Sequence, residues 1–155
     1  MSKLDEVLAA IGPLDERAAA YARARQDTLT KPQGSLGRLE ELSVQVAGIT
    51  GQERPRFPHK VVVTMAGDHG VAAQGVSAYP AAVTPQMVLN FLRGGAGINV
   101  LARHAGARVV VVDMGVAAEL PSHPKLVNKK VRLGTADMSQ GPALSRAEAI
   151  RSLEA

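Results

Sequence analysis

Two apolar runs constrain this chain more than any other feature: KVVVTMAG at 60–67 and RVVVVDMG at 108–115. Neither alternates polar with apolar residues. A continuous β-branched run marks a strand covered on both faces, as in a parallel sheet. The intervening residues read as two helices. The first opens at Thr84-Pro85, with Thr as N-cap and Pro at the first helical position, and stops at Gly94-Gly95. The second runs from about Ala96 to His104 and ends at Gly106, a residue suited to a C-cap. Strand, helices, strand is a right-handed crossover between parallel strands. The expected fold is therefore α/β, a parallel, doubly wound, Rossmann-like sheet. Ligands bind such sheets at the carboxyl ends of the strands. Gly67-Asp68-His69-Gly70 and Asp113-Met114-Gly115 fall at that end.

The residues before the first run differ in composition. Residues 4–11 and 14–28 read as helices separated by Gly12-Pro13, and a third helix follows from Leu36. Pro55 and Pro58 then make an extended linker. This divides the chain into an N-terminal helical segment with its linker, 1–57, and the first βαβ part of the α/β domain, 58–155. Further on, LVNKKVRL at 126–133 reads as a short strand. Ser145-Arg146-Ala147-Glu148 is a capping box opening a helix with Ala147, Ile150 and Leu153 on one face. Two clear strands are few for a parallel sheet, so the chain is expected to be part of a larger domain.

Composition narrows the function classes. The net charge is +4, but the arginines are scattered, and aromatic residues make up 3%. Nucleic-acid surfaces need a dense basic stripe or stacking aromatics, so no nucleic-acid partner is expected. No apolar run is long enough to span a bilayer, so no membrane association is expected either. With no cysteine there is no thiolate metal site and no disulfide framework, which fits a cytoplasmic location.

Asp68 and His69 stand out because they sit between glycines at a strand end. The structural alternatives are a carboxylate capping a loop and a buried, hydrogen-bonded imidazole; the strand-end position favours function. A metal-dependent phosphoesterase using Asp68, His69 and Asp113 is one reading, although the upstream Asp-x-His of such sites is missing. Gly95-x-Gly97 sits between helices rather than after a strand, which argues against a dinucleotide site. The stretch GVSAYPAAVTPQM, 75–87, offers Ser77, Tyr79, Pro80 and Gln86. Hydroxyl and amide groups beside flat apolar surface suit a planar heteroaromatic ligand; a surface loop followed by an ordinary helix start is the alternative, and composition alone favours it.

Four segments, LTKPQGSLGRLEEL, VTMAGDHGVAAQGVSAYP, VTPQMVLNFLRGGAGINVLAR and VVVDMGV, together resemble the nicotinate-nucleotide:dimethylbenzimidazole phosphoribosyltransferase family of cobalamin lower-ligand biosynthesis, in its amino-terminal half. The resemblance implies transfer of the phosphoribosyl group of nicotinate mononucleotide to dimethylbenzimidazole, giving α-ribazole phosphate and nicotinate. It implies no cofactor and no metal, and a cytoplasmic homodimer. Ser77, Tyr79, Pro80 and Gln86 match the family's benzimidazole pocket, with Asp68 and His69 beside it. The family's general-base glutamate is expected beyond Ala155, so no catalytic residue is expected in this chain, which alone should be inactive. A non-catalytic benzimidazole-binding module is the remaining alternative.

Overall fold

The structure is a computed structural model that describes residues 2–155. It divides into two compact units, one ending at Pro58 and one spanning His59–Ala155.

The first unit holds three helices: α1 (Lys3–Ala10), α2 (Glu16–Thr28) and α3 (Arg38–Thr50). Helix α2 starts where Asp15, its N-cap, accepts a hydrogen bond from the Ala18 N–H at 2.9 Å. Small side chains let α2 and α3 approach closely: Ala18, Ala22 and Ala47 are buried together, with Val44 against them. An ion pair between Lys31 and Glu40, 2.8 Å apart, links the turn to α3. It holds the Glu40 carboxyl below its ordinary value, the Lys31 hydrogen bond being the largest cause.

The second unit is built on three strands, β1 (Lys60–Gly67), β2 (Ala107–Gly115) and β3 (Leu126–Asn128). They lie in the order β1-β2-β3, and both pairs are parallel. The crossover from β1 to β2 carries α4 (Val83–Arg93) and α5 (Gly97–Ala105). Both helices end in left-handed glycines, Gly94 and Gly106, as their sequence predicts. A further helix, α6 (Arg146–Glu154), opens with the capping box of Ser145 and Glu148. The core packs Val88 and Leu92 of α4 against Val111, Val116 and Ala66.

Three expectations are revised. The helix predicted to open at Thr84-Pro85 starts at Val83, with Ala82 as N-cap; the Thr84 hydroxyl is used elsewhere. The strand predicted over 126–133 ends at Asn128, because the Lys130 side chain turns inward to Asp113. Finally, β1 is not covered on both faces. Val61, Val63 and Met65 are exposed by 44%, 51% and 67%, while Val62, Thr64 and Ala66 on the other face are half-buried. Helix α4 packs on the face that carries Ala66.

Register is regular from Lys60↔Ala107 to Ala66↔Asp113 and then shifts, so that Gly67 pairs with Gly115 and Met114 is the extra residue. A bulge of this kind ends pairing and redirects the chain. It releases β1 into Asp68 and His69.

Candidate functional site

The turn after β1 is fixed by backbone first. The Asp68 N–H donates to Gly115 O at 3.0 Å, Thr135 N–H donates to Asp68 O at 2.9 Å, and Gly70 N–H donates to Thr135 O at 3.1 Å. The segment around Thr135 thus lies alongside residues 68–70 in parallel fashion, with His69 paired to Thr135. Gly70 is required by this approach. A Cβ there would stand 2.6 Å from the Asp137 nitrogen and 2.7 Å from the Ala136 carbonyl carbon. At Gly70 the close neighbour is the protein's own chain.

The Asp68 side chain is 8% exposed. Its Oδ1 accepts from the Thr84 hydroxyl at 2.6 Å and its Oδ2 from the Ala117 N–H at 2.7 Å. One carboxylate therefore ties the end of β1 to the first turn of α4 and to the loop after β2. Charge-assisted bonds of this kind are among the stronger ones. His69, by contrast, is exposed, and its ring has no hydrogen-bond partner among the described residues. The buried, hydrogen-bonded imidazole considered from sequence is not found.

Asp113 is spent on structure. Its Oδ1 accepts from the N–H groups of Gly115 and Val116 at 3.1 and 2.9 Å. Its Oδ2 pairs with Lys130 Nζ at 3.3 Å, the two side chains being 2% and 14% exposed. Lys130 also donates to Ala118 O at 2.7 Å. Among the described residues no three His, Asp or Glu side chains assemble as a ligand set for a metal. Asp113 bridges to Lys130 rather than to Asp68 and His69, so nothing in the geometry favours the phosphoesterase reading.

These segments border a cavity of about 630 Å³ at the carboxyl end of β1. Asp68, His69, Ser77, Tyr79 and Pro80 all line it. Gln86 does not; it is exposed on the first turn of α4, beside lining residues Thr84 and Met87. Residues 113–115 are also outside the lining and support Asp68 from behind. The Ser77 hydroxyl donates to Tyr79 O at 2.8 Å and accepts from Tyr79 N–H at 3.2 Å, which shapes the turn that presents Tyr79 and Pro80. The lining is mostly apolar: Val83, Val88 and Phe91 of α4, with three methionines, Met65, Met87 and Met138. Thioethers adapt to flat rings and make favourable contacts with them. The cavity opens to solvent past Tyr79, Met65 and Met138, exposed by 71%, 67% and 56%.

Met138 is a lining residue that the sequence does not mark as one. It belongs to no periodic element. It reaches the cavity because its loop is pinned at Gly70 and because Gln74 donates to Asp137 Oδ2 at 2.7 Å. Hydrogen bonds from the Ser139 hydroxyl and N–H, together with Gln74, hold the Asp137 carboxyl below its ordinary value of 3.8. The only local sign is a polar cluster, Thr135-Ala136-Asp137, after Gly134.

Comparison with known proteins adds the family. A sequence profile described as phosphoribosyltransferase matches residues 11–155. The chain belongs to the phosphoribosyltransferase family. It is 68% identical over 155 residues to the nicotinate-nucleotide--dimethylbenzimidazole phosphoribosyltransferase of Roseiflexus sp. (strain RS-1), covering 100% of this chain and 44% of that protein. It is 55% identical, with the same coverage, to the enzyme of that name from Desulforudis audaxviator (strain MP104C). The crystal structure of the Thermus thermophilus phosphoribosyltransferase of that name superposes with a TM-score of 0.81 at 53% identity, over 89% of this chain and 42% of that one. The chain thus spans less than half the length of these phosphoribosyltransferase relatives. Among the described residues no helix is long and apolar enough to cross a membrane.

Proposed function

We propose that this chain supplies the base-binding part of an enzyme that transfers the phosphoribosyl group of nicotinate mononucleotide to dimethylbenzimidazole, giving α-ribazole phosphate and nicotinate. The observation that carries the reading is the cavity at the carboxyl end of β1. It is of ligand size, apolar, lined by three methionines and Phe91, and it holds five of the six residues that the sequence points to. The names of its close relatives support the same chemistry.

In this reading Tyr79, Pro80 and the methionines hold the faces of the benzimidazole, and His69 offers a ring nitrogen to one of its nitrogens. Gln86 reaches the base only by turning over Met87 toward the cavity mouth. Asp68 serves as a positioning residue, since both of its oxygens are engaged by Thr84 and Ala117. Holding the base still in one orientation converts much of the barrier to transfer into binding. The same reading makes the enzyme cytoplasmic and a homodimer; light scattering of the purified enzyme tests the second.

Calorimetric titration of the chain with dimethylbenzimidazole tests the base site. Saturable binding is expected, weakened about tenfold, or about 1.4 kcal/mol, when His69 and Tyr79 are both replaced by Ala. Absence of saturable binding up to the solubility limit of the base, or affinity untouched by the double substitution, would sink the assignment.

A further inference from the structure

A second cavity, about 410 Å³, lies toward the amino ends of β2 and β3. Leu92, Val109 and Val111 give it an apolar floor. Four cations line it as well: Arg93 at the end of α4, Arg103 in α5, Arg108 at the start of β2 and Lys125 just before β3. No Asp or Glu is among the lining residues. Arg93 and Arg108 have no ion-pair partner among the described residues.

Cations at the ends of helices are commonly explained by the helix dipole. That accounts for Arg93 and for Arg103, whose Nη1 donates to Gly94 O at 3.3 Å. It does not account for Arg108 or Lys125, which belong to strand starts. Like charges bordering one concavity repel each other, and a concave, partly apolar wall strengthens their common field. An anion relieves that repulsion. Guanidinium groups match carboxylate and phosphate oxygens in pairs, while the floor excludes water from an apolar body.

We propose that this cavity binds a small organic anion, an apolar ring or chain bearing a carboxylate or phosphate. Phe91 borders both this cavity and the one at the carboxyl end of β1, so an occupant here packs against a helix that also walls the base site.

The test is a titration of the 155-residue chain with phenyl phosphate, followed by backbone amide chemical shifts. Saturating shifts are expected at Ala102, Val109 and Val111, and about tenfold weaker affinity for Lys125→Glu and for Arg103→Glu. Lys125 keeps the assay interpretable should Arg103→Glu disturb the α4 terminus; circular dichroism checks folding of both variants. Inorganic phosphate is expected to bind much more weakly. The proposal falls if benzyl alcohol binds as tightly as phenyl phosphate, if inorganic phosphate does so, or if the shifts are confined to residues 77–87. It falls equally if neither charge reversal matters, or if no shifts arise at about 10 mM ligand, the limit of useful affinity.

Discussion

The hydroxyl of Thr84 lies 2.6 Å from Oδ1 of Asp68, and this single bond fastens the first turn of α4 to the end of β1. The same carboxylate holds the loop after β2 through Ala117. Three walls and supports of the cavity at the carboxyl end of β1 therefore share one buried anion. Thr84→Val keeps the shape and removes the donor. It is expected to lower stability by about 1.5–3 kcal/mol, the range for hydrogen bonds to charged groups, and to weaken dimethylbenzimidazole binding through the displaced helix. Urea denaturation and calorimetry measure the two effects; an unchanged midpoint would show the bond to be unimportant.

Gly70 has a neighbour where a side chain would go. With only 2.6 Å between an added Cβ and the Asp137 nitrogen, Gly70→Ala is expected to push the 135–138 loop away and destabilise by about 1–3 kcal/mol. Met138 leaves the cavity with the loop, so base affinity falls too. Gly141→Ala, where an added Cβ meets nothing within 4 Å, is the control and is expected to be neutral. Equal melting temperatures for the two variants would contradict the close approach.

Lys130 answers a charge buried deep in the second unit. Removing one partner of a buried pair leaves the other unpaired, typically at a cost of about 3–5 kcal/mol. Asp113 retains two backbone donors, which places Lys130→Met near the lower end of that range. Lys130→Met combined with Asp113→Asn is expected to recover most of the loss, since an amide oxygen still accepts from Gly115 and Val116. Chemical denaturation of the single and double variants gives the comparison; a double variant no better than the single would refute the pairing.

Asp137 provides a pH test. Its carboxyl lies below its ordinary 3.8 in the folded state, chiefly through Ser139 and then Gln74. A depressed folded value adds stability that is fully present above the unfolded value and is lost as pH falls through the folded one. The stability difference between the native chain and Asp137→Asn should therefore be constant above pH 3.8 and shrink below it. Thermal melts at stepped pH follow this, and a difference that instead grows on acidification would reverse the assignment. Asp137 is only half-buried, so solvent keeps the effect modest.

Much of the second unit is written locally. The runs at 60–67 and 108–115 have too many β-branched residues for any other element, and the glycines at 94 and 106 stop helices where their carbonyls must be satisfied. The crossover then follows from the handedness of the chain, and the parallel sheet with it. The Ser145–Glu148 box is likewise complete within four residues. The cavity at the carboxyl end of β1 is legible only in part. Ser77, Tyr79 and Pro80 are marked by a turn, and Asp68 and His69 by their place at a strand end.

What the tertiary structure decided concerns groups whose partners lie far along the chain. Thr84 has the sequence signature of an N-cap, yet its hydroxyl goes to Asp68, sixteen residues away. The carbonyls of Pro80 and Ala81 already accept from the N–H groups of Val83 and Thr84, so Thr84 lies inside the helix rather than at its cap, and its hydroxyl serves a buried carboxylate instead. Gly70 is shaped by Thr135–Asp137, Met138 is delivered by that same loop, and Lys130 breaks a strand pattern to reach Asp113. Propensity and periodicity act over a few residues, whereas burial of a charge or a close backbone contact is settled only when distant segments meet.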